Sequence, residues 1–233
     1  MKRRMSLTVV RGRKSKVKDG AGSRRTGPGR RGTQKEPKLR VYPIILAAGN
    51  AARLGFPQAL ARFGKQTALE IAVQNCAGLA RSIVVLGCRA RELRAAVPHG
   101  ARAVIHRGWR AGQLSSLLAG LRHVPRNMPF LLYPVDYPLL TPAVLAQLLR
   151  AFAGASPQHT VFLPAYGRRK GHPVLFSPEM REELRRARTA HHVVEADPGR
   201  VQTVPVRTAA IVWDFDSPAS LRKCLRAWMR RRA

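Results

Sequence analysis

A short, nearly apolar run, Val41-Tyr42-Pro43-Ile44-Ile45-Leu46, passes directly into Ala47-Ala48-Gly49-Asn50. Six residues cannot span a bilayer. A run of this length closed by small residues and a glycine reads as a buried strand feeding a loop. Small side chains let backbone N–H groups approach a triphosphate closely, and Arg53 can neutralise it. The loop is not a Walker A sequence, because Gly64-Lys65 is followed by Gln66, and it is not GxGxxG. Taken alone, such a turn serves structure as readily as binding.

The same alternation continues along the chain. Helical spacing appears over residues 68–80, with Leu69, Val73, Cys76 and Leu79 on one face. Further strands are expected over 82–86, 101–106, 130–135, 160–165, 173–176, 201–206 and 209–213. Further helices are expected over 89–96, 114–124, 142–152 and 178–187, with a last one starting at Ser217-Pro218. Thr141-Pro142 and Ser177-Pro178 look like caps followed by proline at the first helical position. Ser115 and Ser116 mark the start of the 114–124 helix. No repeat is visible. Short strands alternating with helices, with polar residues gathered at strand ends, predict an open α/β sheet whose ligand crevice lies outside the strand C-termini.

Charge divides the chain differently. The sequence holds 43 Lys/Arg against 12 Asp/Glu, a net +31. Residues 1–40 carry 15 of the basic residues and 2 of the acidic ones, without apolar periodicity. They are expected to form a disordered tail ahead of one domain over residues 41–233. Such a tail can bind polyanions non-specifically; it can equally follow from a start codon assigned too early. An Arg-rich, acid-poor leader also has the composition of a transit peptide. The apolar stretch Leu7 to Val10 is too short for a secretory signal, and no transmembrane segment is expected. Cys76, Cys88 and Cys224 are odd in number and form no CxxC. They read as buried or half-buried thiols in a reducing compartment, hence a cytoplasmic protein.

Five stretches occur in an informative order. They are LAAGNAARLGFPQAL from Leu46, GQLSSLLAGL from Gly112, VDYPLLTP from Val135, GRRKGHPVLF from Gly167 and WDFDSPASL from Trp213. The first closely resembles LAAGxSxRMGxPKxLL, the signature of MobA/MocA-like nucleotidyltransferases. The others resemble that family's GMSSSLxAGL, DxPLLxP, GxRGHPVLF (with one extra residue here) and DIDTPEDL. The resemblance spans about residues 41–225. It implies a Rossmann-like three-layer mixed sheet of the nucleotide-diphospho-sugar transferase type, with about seven strands. It implies Mg²⁺-dependent transfer of CMP or GMP from CTP or GTP to a phosphorylated acceptor, with release of pyrophosphate. Molybdopterin is the implied acceptor, and CTP is favoured because GHPVLF is similar to the cytidylyltransferase branch. A sugar phosphate or another phosphorylated alcohol stays open.

Roles follow from the resemblance residue by residue. Leu46, Ala47, Ala48, Gly49, Asn50, Arg53, Gln58 and Ser116 would bind nucleotide, with Arg53, Gln58 and Asp136 catalytic. Asp136 and Asp214, at two strand ends, would hold Mg²⁺, since a hard cation seeks carboxylate and phosphate oxygens. Each aspartate alone could be a cap or turn residue, and Ser116 a helix N-cap. Asp216 fits a cap for the last helix. Gly171, His172 and Pro173 would line the acceptor side, while His191-His192 reads as surface. Two departures stand out. The family lysine after the signature proline is Gln58 here, so that Lys65 or an arginine must supply the charge or turnover is slow. Thr189-Ala190-His191-His192 replaces a Gly-Ala-Arg type sequence. Gln58 and the high positive charge raise a rival reading, a catalytically degenerate nucleotide- or nucleic-acid-binding protein on the same fold.

Deleting residues 1–40 is expected to leave nucleotide affinity nearly unchanged. It is expected to weaken binding to DNA or RNA and flatten its dependence on log[salt]. Filter binding over a salt series checks this; an unchanged slope would put polyanion binding on the domain instead.

Overall fold

The computed structural model describes residues 40–50 and 52–231, all within the unit Lys38–Ala233. The tail expected over residues 1–40 lies, except for Arg40, outside the described residues. Strand β1 (Tyr42–Ala47) leads to a small hairpin, β2 (Arg62–Phe63) and β3 (Gln66–Thr67), and then helix α1 (Ala68–Asn75). There follow β4 (Ile83–Leu86), α2 (Ala90–Ala95), β5 (Arg102–Ile105), α3 (Gln113–Leu121), β6 (Phe130–Pro134) and α4 (Pro142–Ala153). The second half holds β7 (Val161–Tyr166), β8 (Arg169–Lys170), β9 (Val174–Phe176), α5 (Met180–Arg186), α6 (Ala190–Ala196), β10 (Val201–Pro205) and α7 (Pro218–Arg230).

The main sheet runs β10-β7-β9-β6-β1-β4-β5, with β8 added on β7. Strands β6, β1, β4 and β5 are mutually parallel, and β10 is parallel to β7. Strand β9 is antiparallel to both β6 and β7, which makes the sheet mixed. The chain moves from β1 outward to β4 and β5, then returns to β6 on the other side of β1. That reversal opens a crevice between the C-terminal ends of β1 and β6, where ligands of such sheets bind.

Strand β1 shows why both faces need cover. Ile45 and Ala47 enter one apolar core with Leu69 and Ile71 of α1, Leu145 and Leu148 of α4, and Cys224 of α7. Ile44 and Leu46 enter the other with Leu117 and Leu121 of α3 and Leu184 of α5. The period of two along the strand thus builds two cores and three layers. Caps fix where the helices begin. Thr67 and Glu70 form a reciprocal capping box on α1, and Ser217 with Ser220 does the same on α7. Thr141 stands at the N-cap of α4 with Pro142 following, though its side chain makes no capping bond.

Some sequence expectations change here. The 209–213 run is not a strand: Ala209–Val212 forms a 3-10 turn. Thr208 accepts a hydrogen bond from the Ala210 N–H, and the Ile211 carbonyl accepts one from the His172 N–H at 2.9 Å. The run is thereby tied to the β8–β9 connection instead of pairing in the sheet. Ser177-Pro178 does not cap α5, whose N-cap is Glu179. Helix α6, capped by the Thr189 hydroxyl on the His192 N–H, and the short pairs β2–β3 and β7–β8 were not legible from periodicity. The cysteines are free, with Cys76 and Cys224 buried and Cys88 half-buried. No helix among the described residues is long and apolar enough to cross a membrane.

Gly120 lets α3 lie flat on β1 and β4, because a Cβ there would collide with Ile44 and sit 2.9 Å from Val85 Cγ2. Alanine gains about 1 kcal/mol of helix propensity over glycine, but overpacking costs about 1–3 kcal/mol. Gly120→Ala should therefore lower stability in urea titration. A more stable variant would mean that α3 is free to shift outward.

Candidate functional site

Two hollows meet at the C-terminal ends of β1 and β6. The first, about 290 Å³, is lined by Leu46 to Asn50, Pro57 to Ala59, Trp109, Arg110, Gly112, Gln113, Ser116 and Pro134 to Asp136. Of the residues expected from sequence to bind nucleotide, it brings together Leu46, Ala47, Ala48, Gly49, Asn50, Gln58 and Ser116, with Asp136 on its wall. Its shape depends on Gly87 at the end of β4. A Cβ there would lie 2.5 Å from both the Ala48 carbonyl oxygen and Trp109 Cβ. Without that side chain the Cys88 N–H donates to the Ala48 carbonyl at 3.1 Å, and Trp109 lies close against Gly87.

Asp136 follows β6, and its carbonyl accepts the Phe215 N–H at 3.1 Å. Gln58 Nε2 donates to the Phe215 carbonyl at 2.6 Å. The peptide groups on either side of Phe215 thus fasten the signature loop, the end of β6 and the Asp214–Asp216 segment to one another. Asp136 Oδ1 is sealed from solvent and has no hydrogen-bond partner among the described residues. Burial, with the negative charges of Asp214 and Asp216 adding, pushes this carboxyl up to about 7. A buried carboxylate short of partners and facing further carboxylates fits a divalent cation. The same burial, joined by the charges of Asp136 and Asp214, raises Tyr137 and keeps its hydroxyl protonated.

The second hollow, about 440 Å³, is lined among others by Gln113, Tyr137, Arg169, Lys170, Gly171, His172, Ile211 and Asp214. Gln113 borders both hollows. Gly171 is required because a Cβ would collide with the Ile211 carbonyl. The His172–Pro173 peptide is cis, and the His172 ring packs edge-on against Tyr137 at 4.9 Å. Burial holds that imidazole down at about 4, so it is neutral at physiological pH. Pro173 is buried and lines neither hollow.

Several expected placements are corrected. Asp214 ends no strand; it follows the 3-10 turn and is carried to Asp136 through Phe215. Asp216 is not the cap of α7, which is Ser217; it pairs with Arg53 at 2.5 Å. Arg53 therefore points to Asp216 and does not line the first hollow. Both side chains are well exposed, and an ion pair of that kind is readily exchanged for a stronger anion. Ser116 is not an N-cap: Gly112 holds that position and Ser116 lies inside the first turn of α3. Lys65 sits in the β2–β3 turn and borders a separate surface depression, whereas Arg110 borders the first hollow. His191, read as surface, is exposed and also forms part of the second hollow's rim. Trp109, Arg110 and Gln113 were missed. Trp109 and Arg110 stand between Gly108 and Gly112, the latter at φ +102, and Gln113 opens the GQLSSLLAGL stretch just after Gly112.

Residues 43–200 match the model of the MobA-like NTP transferase domain. The chain belongs to that family. It is a nucleotidyltransferase of MobA-like type, and its mixed three-layer sheet is that of the nucleotide-diphospho-sugar transferases. The matched span includes the signature loop and Asp136, while Asp214 lies beyond it. Among solved structures, the Rv0371c homologue of Mycobacterium sp. strain JC1 is 25% identical, with a TM-score of 0.72, covering 82% of this chain and 98% of that one. Rv0371c of Mycobacterium tuberculosis is 26% identical with a TM-score of 0.70, covering 82% and 100%, and has also been solved in complex with manganese. The molybdopterin-guanine dinucleotide biosynthesis protein A of Archaeoglobus fulgidus, 16% identical with a TM-score of 0.63 and covering 82% and 100%, shares the fold. No curated protein sequence matches this MobA-like chain.

The raised Asp136 carboxyl gives a pH signature. Its value of about 7 lies above the usual carboxylate range. Between about pH 4 and 7 the folded state therefore binds more protons than the unfolded chain, and metal-free stability falls as pH rises through that window. Urea titrations at pH 5 and 7.5 without divalent ions should show this fall, and Asp136→Asn should reduce it. An equal slope in wild type and variant would mean that Asp136 titrates normally.

Proposed function

We propose that this MobA-like transferase moves CMP, or GMP, from CTP or GTP to a phosphorylated acceptor, molybdopterin being the acceptor its family resemblance implies. The observation that carries the reading is the buried Asp136 carboxylate, whose Oδ1 has no partner among the described residues, joined through Phe215 to the Asp214 segment where the two hollows meet. Asp136 and Asp214 would hold Mg²⁺, which when bound supplies Lewis-acid charge to the phosphates. The manganese complex of Rv0371c supports a divalent ion in this fold.

The chain's own residues would do the remaining work. Backbone N–H groups from Ala47 to Asn50 would receive the triphosphate. Arg53 would leave the exposed Asp216 for a phosphate. Ser116 and Trp109 would meet the ribose and base. An acceptor phosphate oxygen, arriving from the second hollow past Gln113, would bond to the α-phosphorus as the bond from that phosphorus to the bridging oxygen breaks. Pyrophosphate then leaves, and catalysis consists mainly of positioning and charge neutralisation.

Gln58 favours a second reading, nucleotide binding without turnover. One of its two amide protons is already given to the Phe215 carbonyl, and the side chain brings no charge. Arg110, the cation in the first hollow's lining among the described residues, would compensate together with Arg53.

Thermal shift with CTP, GTP, ATP and UTP, each with Mg²⁺, should show the stabilisation that a bound ligand gives. Asp136→Ala and Asp214→Ala should abolish the Mg²⁺-dependent part while leaving the apo fold intact. Gln58→Lys should raise pyrophosphate release roughly ten- to a hundredfold, with nucleotide affinity changing less. Arg110→Ala should lower it. Turnover absent in wild type and in Gln58→Lys alike would leave the binding-protein reading standing.

A further inference from the structure

The second hollow combines two kinds of surface. Its floor comes from the middle of the sheet: Leu132 on β6, Leu163 on β7, and Val174 and Phe176 on β9, all buried. Val194, Ile211 and Val212 continue it. The floor strands pair with one another, Leu132 opposite Val174 and Phe162 opposite Leu175, so that their backbone groups are engaged in the sheet. The rim carries Arg169 and Lys170, both exposed, whose side chains make no hydrogen bond or ion pair among the described residues. They lie in the β7–β8 hairpin, where the sequence is one residue longer than the GxRGHPVLF pattern it resembles and so presents Arg168-Arg169-Lys170 in a row. Among the described residues the acidic groups of the hollow are not paired with them: Glu195 lies 3.0 Å from His191, and Asp214 sits next to Phe215, which bonds to Asp136.

We infer that the occupant of this hollow is a phosphate monoester with a largely apolar body, and not a polyhydroxylated sugar phosphate. That it is the acceptor rests on the transfer reading above. Among the acceptors the sequence leaves open, the hollow favours a phosphorylated alcohol of low polarity over molybdopterin, whose pterin carries several hydrogen-bonding groups. The binding chemistry does not rest on that reading. A free cation pair at the edge of an apolar surface selects an anion attached to an apolar group. Against a sugar the hollow is poorly equipped. Among the described residues the polar side chains of its lining are Arg169, Lys170, His191 and Glu195 at the edge, and Gln113 and Asp214 toward the first hollow. On the apolar floor's side they are Tyr137 and His172, and His172 Nδ1 is sealed and without a partner among these residues. With its ring neutral, His172 can meet a single polar group on the occupant through its remaining nitrogen, and Tyr137 another. A hexose phosphate would drive further hydroxyls against Leu132, Val174 and Phe176, where they lose water without gaining partners. Each hydroxyl so stranded costs about tenfold or more in affinity.

The probe is 1-naphthyl phosphate, followed by its own fluorescence on addition of the full-length protein, with glucose 1-phosphate and 1-naphthol as competitors. The naphthyl ester should bind at least tenfold more tightly than either competitor. Arg169→Ser with Lys170→Ser should weaken the ester at least tenfold and leave 1-naphthol nearly unchanged. Val194→Trp, which fills the second hollow alone, should abolish ester binding while CTP still raises the melting temperature. Glucose 1-phosphate binding as tightly as the naphthyl ester would overturn the inference. So would ester binding that survives Val194→Trp. Failure of CTP to bind any of these proteins would contradict the transfer reading alone and leave the result for this hollow as measured.

Discussion

The site depends on how one residue is held at both ends. The Phe215 N–H donates to the Asp136 carbonyl, and the Phe215 carbonyl accepts from Gln58. Its ring is wholly buried and packs on Phe63 at 5.5 Å. Three segments far apart in sequence are joined there, around residues 58, 136 and 215. A backbone hydrogen bond carries little net energy on its own. Burial of the aromatic ring makes the arrangement hold, because withdrawing the segment would expose that ring and strand both polar groups.

That fastening explains the electrostatics. Asp136, Asp214 and Asp216 are gathered in a chain with few acidic residues, and the burial that Phe215 enforces raises the Asp136 carboxyl. Arg53 answers Asp216 from the surface, and Asp136 is left with an oxygen that no group among the described residues satisfies. A cation between Asp136 and Asp214 would complete the set. The order of strands supplies the rest: the return of the chain from β5 to β6, across β1, opens the first hollow beside β1, and the antiparallel β9 joins β6 and β7 in the floor of the second.

Much of this was legible because burial writes itself into periodicity. The apolar runs that became β1, β4, β6 and β7 are buried throughout or nearly so, and their sequences could belong to little else. The small residues from Ala47 to Gly49 announced a strand-to-loop turn, and that turn lines the first hollow. Local pattern failed where long-range bonds decide. The 209–213 run is as apolar as a strand, yet the bond from His172 to Ile211 and the Thr208 cap turn it into a 3-10 turn. Two-residue pairs such as β8 have no period to read. Trp109 enters the site because Gly87 lets it pass close by, and Gln113 follows the turn that Gly112 makes at φ +102, three-dimensional facts that spacing does not carry. Resemblance to a family singled out Asp136 and Asp214, but not that Asp216 would hold Arg53.

The most direct measurement is a crystal structure of the full chain with CTP and Mn²⁺, with data collected for the anomalous signal of manganese. The expected result is a peak bridging the carboxylates of Asp136 and Asp214, with the triphosphate along Ala47 to Asn50 and Arg53 turned from Asp216 toward it. Manganese bound away from both aspartates, with the nucleotide outside the first hollow, would contradict the assignment of this junction as the place of transfer.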